Sequence, residues 1–125
     1  MEIQVGEYVR TKDGVIAKVT ATGYGIDCDR DVFDLKCLQM MEIPPEHVQE
    51  YVIKHSFNII DLIEKGDYVN ELKIIDINGI CNDKKTKAFT IYKNKGKAII
   101  TFLKNEEIRS IVTKEQFKAM EYEVK

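Results

Sequence analysis

The chain has 125 residues, with 19 basic and 21 acidic side chains and a formal net charge of −2. That length holds one compact domain or two very small ones. The balanced charge argues against general nucleic-acid binding, which needs a basic face, and no apolar run reaches the length of a membrane span.

In chain order, Gly6-Glu7-Tyr8-Val9 opens the first strand. Asp13-Gly14 is a short-turn signal, because glycine accepts positive φ without steric cost. A strand is predicted over 15–21, a turn at Gly23-Tyr24-Gly25, and a further strand over 26–28. Val32, Phe33 and Leu35 mark another short strand running toward 37–41. Pro44-Pro45 breaks this pattern; proline suits a first helical turn, and Glu46 stands where the helix dipole favours an acid. Val48, Tyr51 and Val52 at helical spacing predict a helix over 46–54. Residues 55–58 then connect, and Ser56 or Asn58 is placed to cap a single turn over 59–64.

The opening now returns as Gly66-Asp67-Tyr68-Val69. Strands are predicted over 67–70, 72–77, 88–93, 98–103 and 108–112. Asn78-Gly79, 94–96 and 104–106 supply turns, and 82–87 is a polar loop. Thr113 followed by Gln116 has the spacing of a capping box. It heads a final helix with Phe117, Met120 and Val124 as its apolar stripe. The closing segments match as well, Ile43-Pro44-Pro45-Glu46-His47-Val48 against Val112-Thr113-Lys114-Glu115-Gln116-Phe117.

The chain therefore reads as an internal duplication. The expected fold is mainly β with short helices (α+β): two tandem SH3-like small-barrel units, each ending in a short helix. The first unit is placed at 1–55 and the second at 56–125. Units this small are marginal alone, so a shared core or interface is expected. The second copy is longer, with the excess between about 79 and 97, either a functional insertion or only a longer hairpin.

Catalytic chemistry finds little support. His47 and His55 are the only histidines, and no Gly-x-Ser-x-Gly is present. A nucleophilic Cys28 or Cys81 with either histidine has no local pattern behind it. Cys28, Cys37 and Cys81 are odd in number and widely spaced, which suits reduced thiols in a cytoplasm. Paired zinc-ligand spacings are absent. Asp27, Asp29 and Asp31 imitate the start of a calcium loop, but the required glycine and the twelfth-position acid are missing, Leu38 standing there. No catalytic residue, metal or cofactor is assigned.

Binding chemistry is better represented. Lysine outnumbers arginine sixteen to three, and arginine's rigid fork grips phosphate in a way lysine's point charge does not. Arg10, Arg30 and Arg109 are the candidates. Pairing with Asp29 and Asp31, or with Glu106 and Glu107, is the plain alternative for Arg30 and Arg109. Tyr24, Phe57, Phe89 and Tyr92 fall at loops or strand ends and are candidates to stack on a base; for Phe89 the alternative is core packing. Tyr8 and Tyr68 read as matched framework residues.

The stretch His55-Ser56-Phe57-Asn58-Ile59-Ile60-Asp61-Leu62-Ile63-Glu64-Lys65-Gly66-Asp67-Tyr68-Val69-Asn70 resembles a module of small bacteriophage proteins from low-GC Gram-positive bacteria. Asn105-Glu106-Glu107-Ile108-Arg109-Ser110-Ile111-Val112-Thr113-Lys114-Glu115-Gln116-Phe117 belongs to the same pattern. Within that group the chain resembles the first family of Thoeris anti-defence proteins. The resemblance implies a non-enzymatic sponge, acting in the cytoplasm of the infected bacterial host. Such a sponge binds a cyclic ADP-ribose isomer made by a bacterial TIR enzyme, leaves it intact, and keeps the effector silent. It also implies a homo-oligomer with pockets between protomers, and Arg109 is the position carried over first. The competing expectation is a protein-interaction module, such as an inhibitor of a host protein or a small virion component. A hydrolase using Cys or His ranks third.

Overall fold

The computed structural model describes residues 2–33, 39–94 and 96–123. Leu35, Cys37, Leu38, Lys95, Val124 and the side chain of Met120, which the sequence reading used, lie outside the described residues. The chain divides into two units, Met1–Leu62 and Ile63–Lys125. The division thus falls after Leu62 rather than after His55.

The first unit contains β1 (Tyr8–Thr11), β2 (Ile16–Gly23), β3 (Gly25–Asp29), β4 (Met40–Ile43), helix α1 (Pro45–Tyr51), β5 (Val52–Ser56) and a 3-10 turn at Ile59–Leu62. Its five strands form one antiparallel sheet in the order β4-β3-β2-β1-β5. Val9, Ala17, Val19, Ile26, Cys28, Ile43 and Val52 make the core, with Ile3, Met41, Val48 and Tyr51 packed on it. Full burial of each Val or Ile contributes roughly 1.5–3 kcal/mol.

The second unit contains β6 (Tyr68–Val69), β7 (Leu72–Ile80), β8 (Thr86–Asn94), β9 (Lys97–Lys104), a 3-10 turn at Asn105–Glu107, β10 (Ile111–Val112) and helix α2 (Lys114–Glu123). Its sheet order is β10-β6-β7-β8-β9, again antiparallel. In each unit the last strand returns beside the first, which is the SH3-like order expected from the duplication. Val69, Ile74, Phe89, Ile91 and Ile108 are buried here.

The repeated Gly-acid-Tyr-Val motif has one geometry in both units. Gly6 and Gly66 have φ of 96° and 98°, a region that only glycine enters freely. Their amides donate to Val19 O at 2.9 Å and Ile74 O at 2.8 Å. The amides of Val19 and Ile74 donate back to the carbonyls of Glu7 and Asp67, both at 2.8 Å. Glu7 Oε2 accepts the Gln4 amide at 2.6 Å, and Asp67 Oδ2 accepts the Glu64 amide at 2.7 Å. Both acids are buried. Their second oxygens face the closing segment: Glu7 Oε1 meets His55 Nδ1 on β5 at 2.8 Å, whereas Asp67 Oδ1 accepts the Lys114 amide after β10 at 3.0 Å.

Several local expectations give way to tertiary pairing. Val52–Ser56 is a strand and not helix or connector, because it pairs with β1, Val9 opposite His55 and Arg10 opposite Lys54. Helix α1 therefore stops at Tyr51 and sits before the closing strand. The first unit ends in its short 3-10 helix and the second in an α-helix. The counterpart of α1 by position is the 3-10 turn at Asn105–Glu107, and the matched closing segments are not topological equivalents. Asn78-Gly79 is no turn: β7 runs through it, and the register shift between Ile77 and Gly79 makes it a bulge. Gly79, at φ 132°, supplies the backbone freedom that bulges use. The excess length of the second copy lies in extended strands β7, β8 and β9. The capping box is present, Thr113 N–H to Gln116 Oε1 at 3.1 Å and Gln116 N–H to Thr113 Oγ1 at 3.3 Å. Tyr8 lies under Lys18, 5.7 Å from ring centre to Nζ, and Tyr68 stacks on Phe117 at 4.8 Å.

Burial raises the Glu7 pKa, but the Gln4 amide and the His55 ring outweigh it and hold the carboxyl below its usual value. A lowered folded pKa means the unfolded chain binds more protons as the pH falls through the carboxylate range. Glu7 therefore contributes stability above that range and loses it below. Urea unfolding followed by circular dichroism across this range should show a falling midpoint in the natural chain, and a flatter pH response in Glu7→Gln.

Candidate functional site

The seven binding candidates are not gathered by the fold of either unit. Arg10 is fully buried, and its Nη1 donates to Leu62 O at 2.9 Å. It ties β1 to the 3-10 turn and is a structural residue. Phe89 is fully buried in the second unit, opposite Thr101 on β9. Both are corrections to the expected ligand set: neither offers surface to a nucleotide.

The other five are exposed and dispersed. Tyr24 is 84% exposed at the tip between β2 and β3. Phe57 is exposed, and its ring lies over Gly6, where an added Cβ would stand 3.5 Å away. Arg30 follows β3, and its amide donates to Gln39 O at 3.0 Å. Tyr92 is 52% exposed on β8, opposite Ala98. Arg109 precedes β10, three strands from Tyr92 in the sheet order, which is about 14 Å at the usual strand spacing.

Arg109 borders a hollow of about 240 Å³ with Asn70, Glu71 and Ser110. The β6–β7 connection is a two-residue turn, with Asn70 at φ 50° and Glu71 at φ 70°. Such paired left-handed residues match the strand twist. Asn70 stands where the first unit has Arg10, and it too ties its strand to the closing segment. Its Oδ1 accepts the amides of Arg109 and Ser110 at 2.7 and 3.2 Å, and its Nδ2 donates to Glu107 O at 2.9 Å. The hollow's charge is mixed, since Glu71 faces it along with Arg109.

A second hollow of about 340 Å³ lies in the first unit, lined by Lys12, Glu42, Ile43, Pro44, His47, Glu50 and Tyr51. Tyr51 donates to both oxygens of Asp13 at 2.8 and 2.7 Å, Thr11 donates to the same acid, and Lys12 pairs with Glu50 at 3.4 Å. Burial and the bond to Asp13 raise the Tyr51 pKa, so the hydroxyl stays protonated. Burial also works to raise Asp13, but the Thr11 and Tyr51 hydroxyls hold it below its usual value. The arrangement fixes α1 against the β1–β2 loop.

Burial and the Asp27 charge push the buried Cys28 thiol up to about 11, so it is a thiol and no nucleophile at neutral pH. Asp29 turns its Oδ1 to the amides of Asp31 and Gln39 at 2.9 and 3.1 Å. Among the described residues, no group of three His, Cys, Asp or Glu is placed to hold a metal. Among them also, no helix is long and apolar enough to cross a membrane.

An exposed apolar run on a sheet edge was not among the sequence candidates. Strand β9 is the edge of its sheet, and Ile99, Ile100 and Phe102 on it are 37%, 55% and 58% exposed. Its signal was the uncharged run Ala98-Ile99-Ile100-Thr101-Phe102-Leu103 between two lysines. That run predicts a strand, but only the sheet order reveals an edge. In comparisons with known proteins, no family model, curated protein or solved structure matches this chain.

Arg10 and Arg109 should separate in a stability measurement. Arg10→Met leaves the Leu62 carbonyl without its donor and should cost about 1–3 kcal/mol. Arg109→Ala should stay within about 0.5 kcal/mol, as an exposed substitution does. Urea titrations of the two variants check this.

Proposed function

We propose that the chain is a non-catalytic protein-interaction module that docks an extended segment of a partner through strand β9. The single observation that carries this reading is the exposed, uncharged apolar run on a sheet edge. An edge strand presents unpaired backbone N–H and C=O groups, and proteins normally shorten, charge or cover such edges. Here eight residues are open, with six uncharged in a row. Strand addition would use the backbone groups for affinity and the side chains for selection. The protonated Cys28 and the engagement of His55 by Glu7 support a binding role over a hydrolytic one. Affinity capture from cell extract with the natural chain and with Ile100→Asp/Phe102→Asp tests the reading. A partner should be retained, intact, by the first and lost by the second at equal melting temperature. Equal retention by both chains removes β9 from the interface.

A second reading follows the family resemblance: sequestration of a cyclic ADP-ribose-type messenger in the cytoplasm of an infected bacterium. Arg109 at the rim of a polar hollow is the observation that favours it. On this reading a neighbouring protomer of a homo-oligomer completes the hollow and supplies the ring that stacks on the adenine. Thermal shift with a panel of cyclic ADP-ribose isomers should then raise the melting temperature as RT ln(1 + [L]/Kd). Arg109→Ala should lose that shift, and recovered ligand should be chemically unchanged. A full shift in the variant excludes the hollow as the site.

A further inference from the structure

We infer that the occupant of β9 is an extended segment of a different protein, with an apolar centre and acidic flanks; this rests on the reading of β9 as a docking strand. The cross-strand register sets which side chains share a face. Tyr92 is opposite Ala98, Thr90 opposite Ile100 and Ala88 opposite Phe102, so Tyr92, Ile100 and Phe102 lie on one face. Ile99, opposite Ile91, lies on the other. Exposed apolar groups on both faces of one edge strand match a further strand, which extends both faces together. A stacked nucleobase or a flat lipid surface would use only one.

Charge then selects the occupant. Residues 84–104 hold seven lysines and no acid, in a chain of net charge −2. Lys97 and Lys104, both exposed, end β9 itself. At the Lys104 end two carboxylates are engaged by backbone amides: Asp83 by Lys85 and Thr86, each at 2.9 Å, and Glu107 by Lys104 at 2.9 Å. At the Lys97 end the sequence offers only further lysines, Lys93 and Lys95. A second copy of β9 paired antiparallel about its centre would set Lys97 opposite Lys104 at both ends, and like charges directly opposite are unfavourable. The same lysines that discourage self-pairing attract a strand with acidic ends, and Lys97 is the stronger determinant.

Two synthetic peptides of β9's length test this on the full chain. They share a Val/Thr centre and carry glutamates or lysines at both ends; fluorescence anisotropy is read at low and high salt. The acid-flanked peptide should bind about tenfold more tightly at low salt, and the gap should close as salt screens the ends. Lys97→Glu/Lys104→Glu, a surface change, should reverse the order. Equal binding of the two peptides overturns the charge selection while leaving β9 as a docking strand. Binding of neither, by a chain with an unchanged melt, removes both. A dimer in sedimentation that Ile100→Asp abolishes would make the occupant a second copy. Salt-sensitive binding of single-stranded oligothymidine, lost in Tyr92→Ala and Phe102→Ala, would make it a nucleic acid.

Discussion

A buried carboxylate at the start of each unit ties its opening turn to the distant segment that closes the sheet. Glu7 and Asp67 each take the amide three residues earlier and leave one oxygen for the segment that closes the sheet. The glycine before each acid, at positive φ, turns the chain so that the acid points inward while its own carbonyl still pairs with the second strand. An unpaired buried carboxylate is costly, so the acid demands a donor from the returning chain. The donor comes from the segment that returns beside the first strand. The two units meet it differently: the first uses an imidazole on β5, the second a backbone amide at the head of α2.

The residue after the motif shows how duplication diverges without losing its architecture. Arg10 and Asn70 occupy the same place, and both reach the closing segment of their own unit. The long arginine crosses the interior to Leu62 O, whereas the short asparagine bonds the chain over 107–110 at close range. Arginine scarcity suggested a ligand grip at Arg10. Burial decides otherwise, because a guanidinium with no exposed surface serves the protein and not a solute. Arg109 survives as an exposed group because Asn70 bonds its amide and leaves the side chain outside.

The second unit departs from the first where its middle strands lengthen. In the first unit β3 and β4 have five and four residues; in the second β8 and β9 have nine and eight. The added length carries the edge strand's apolar groups, and residues 84–104 hold seven of the chain's sixteen lysines. A small antiparallel sheet needs no such extension for its own core, since Ile74, Phe89 and Ile91 are already buried along it. Past those buried residues the extension adds the exposed groups of β9.

Much of this was legible in the primary structure. The twofold Gly-acid-Tyr-Val motif, the alternation of β-branched residues and the Thr113–Gln116 cap follow local rules, so strand content, duplication and the final helix could be read directly. The strand after Pro45, the bulge at Gly79 and the division after Leu62 could not, because each depends on what lies across the sheet. Val52 fits a helix face by spacing and a strand by pairing; pairing with β1 wins because it satisfies facing backbone groups of the two strands. The candidate sites divide the same way. Residue type named Arg10 and Phe89, but burial is set by packing and removed them. Residue type passed over Ile100 and Phe102, because an apolar strand reads as core until the strand order places it at an edge with nothing beyond it among the described residues.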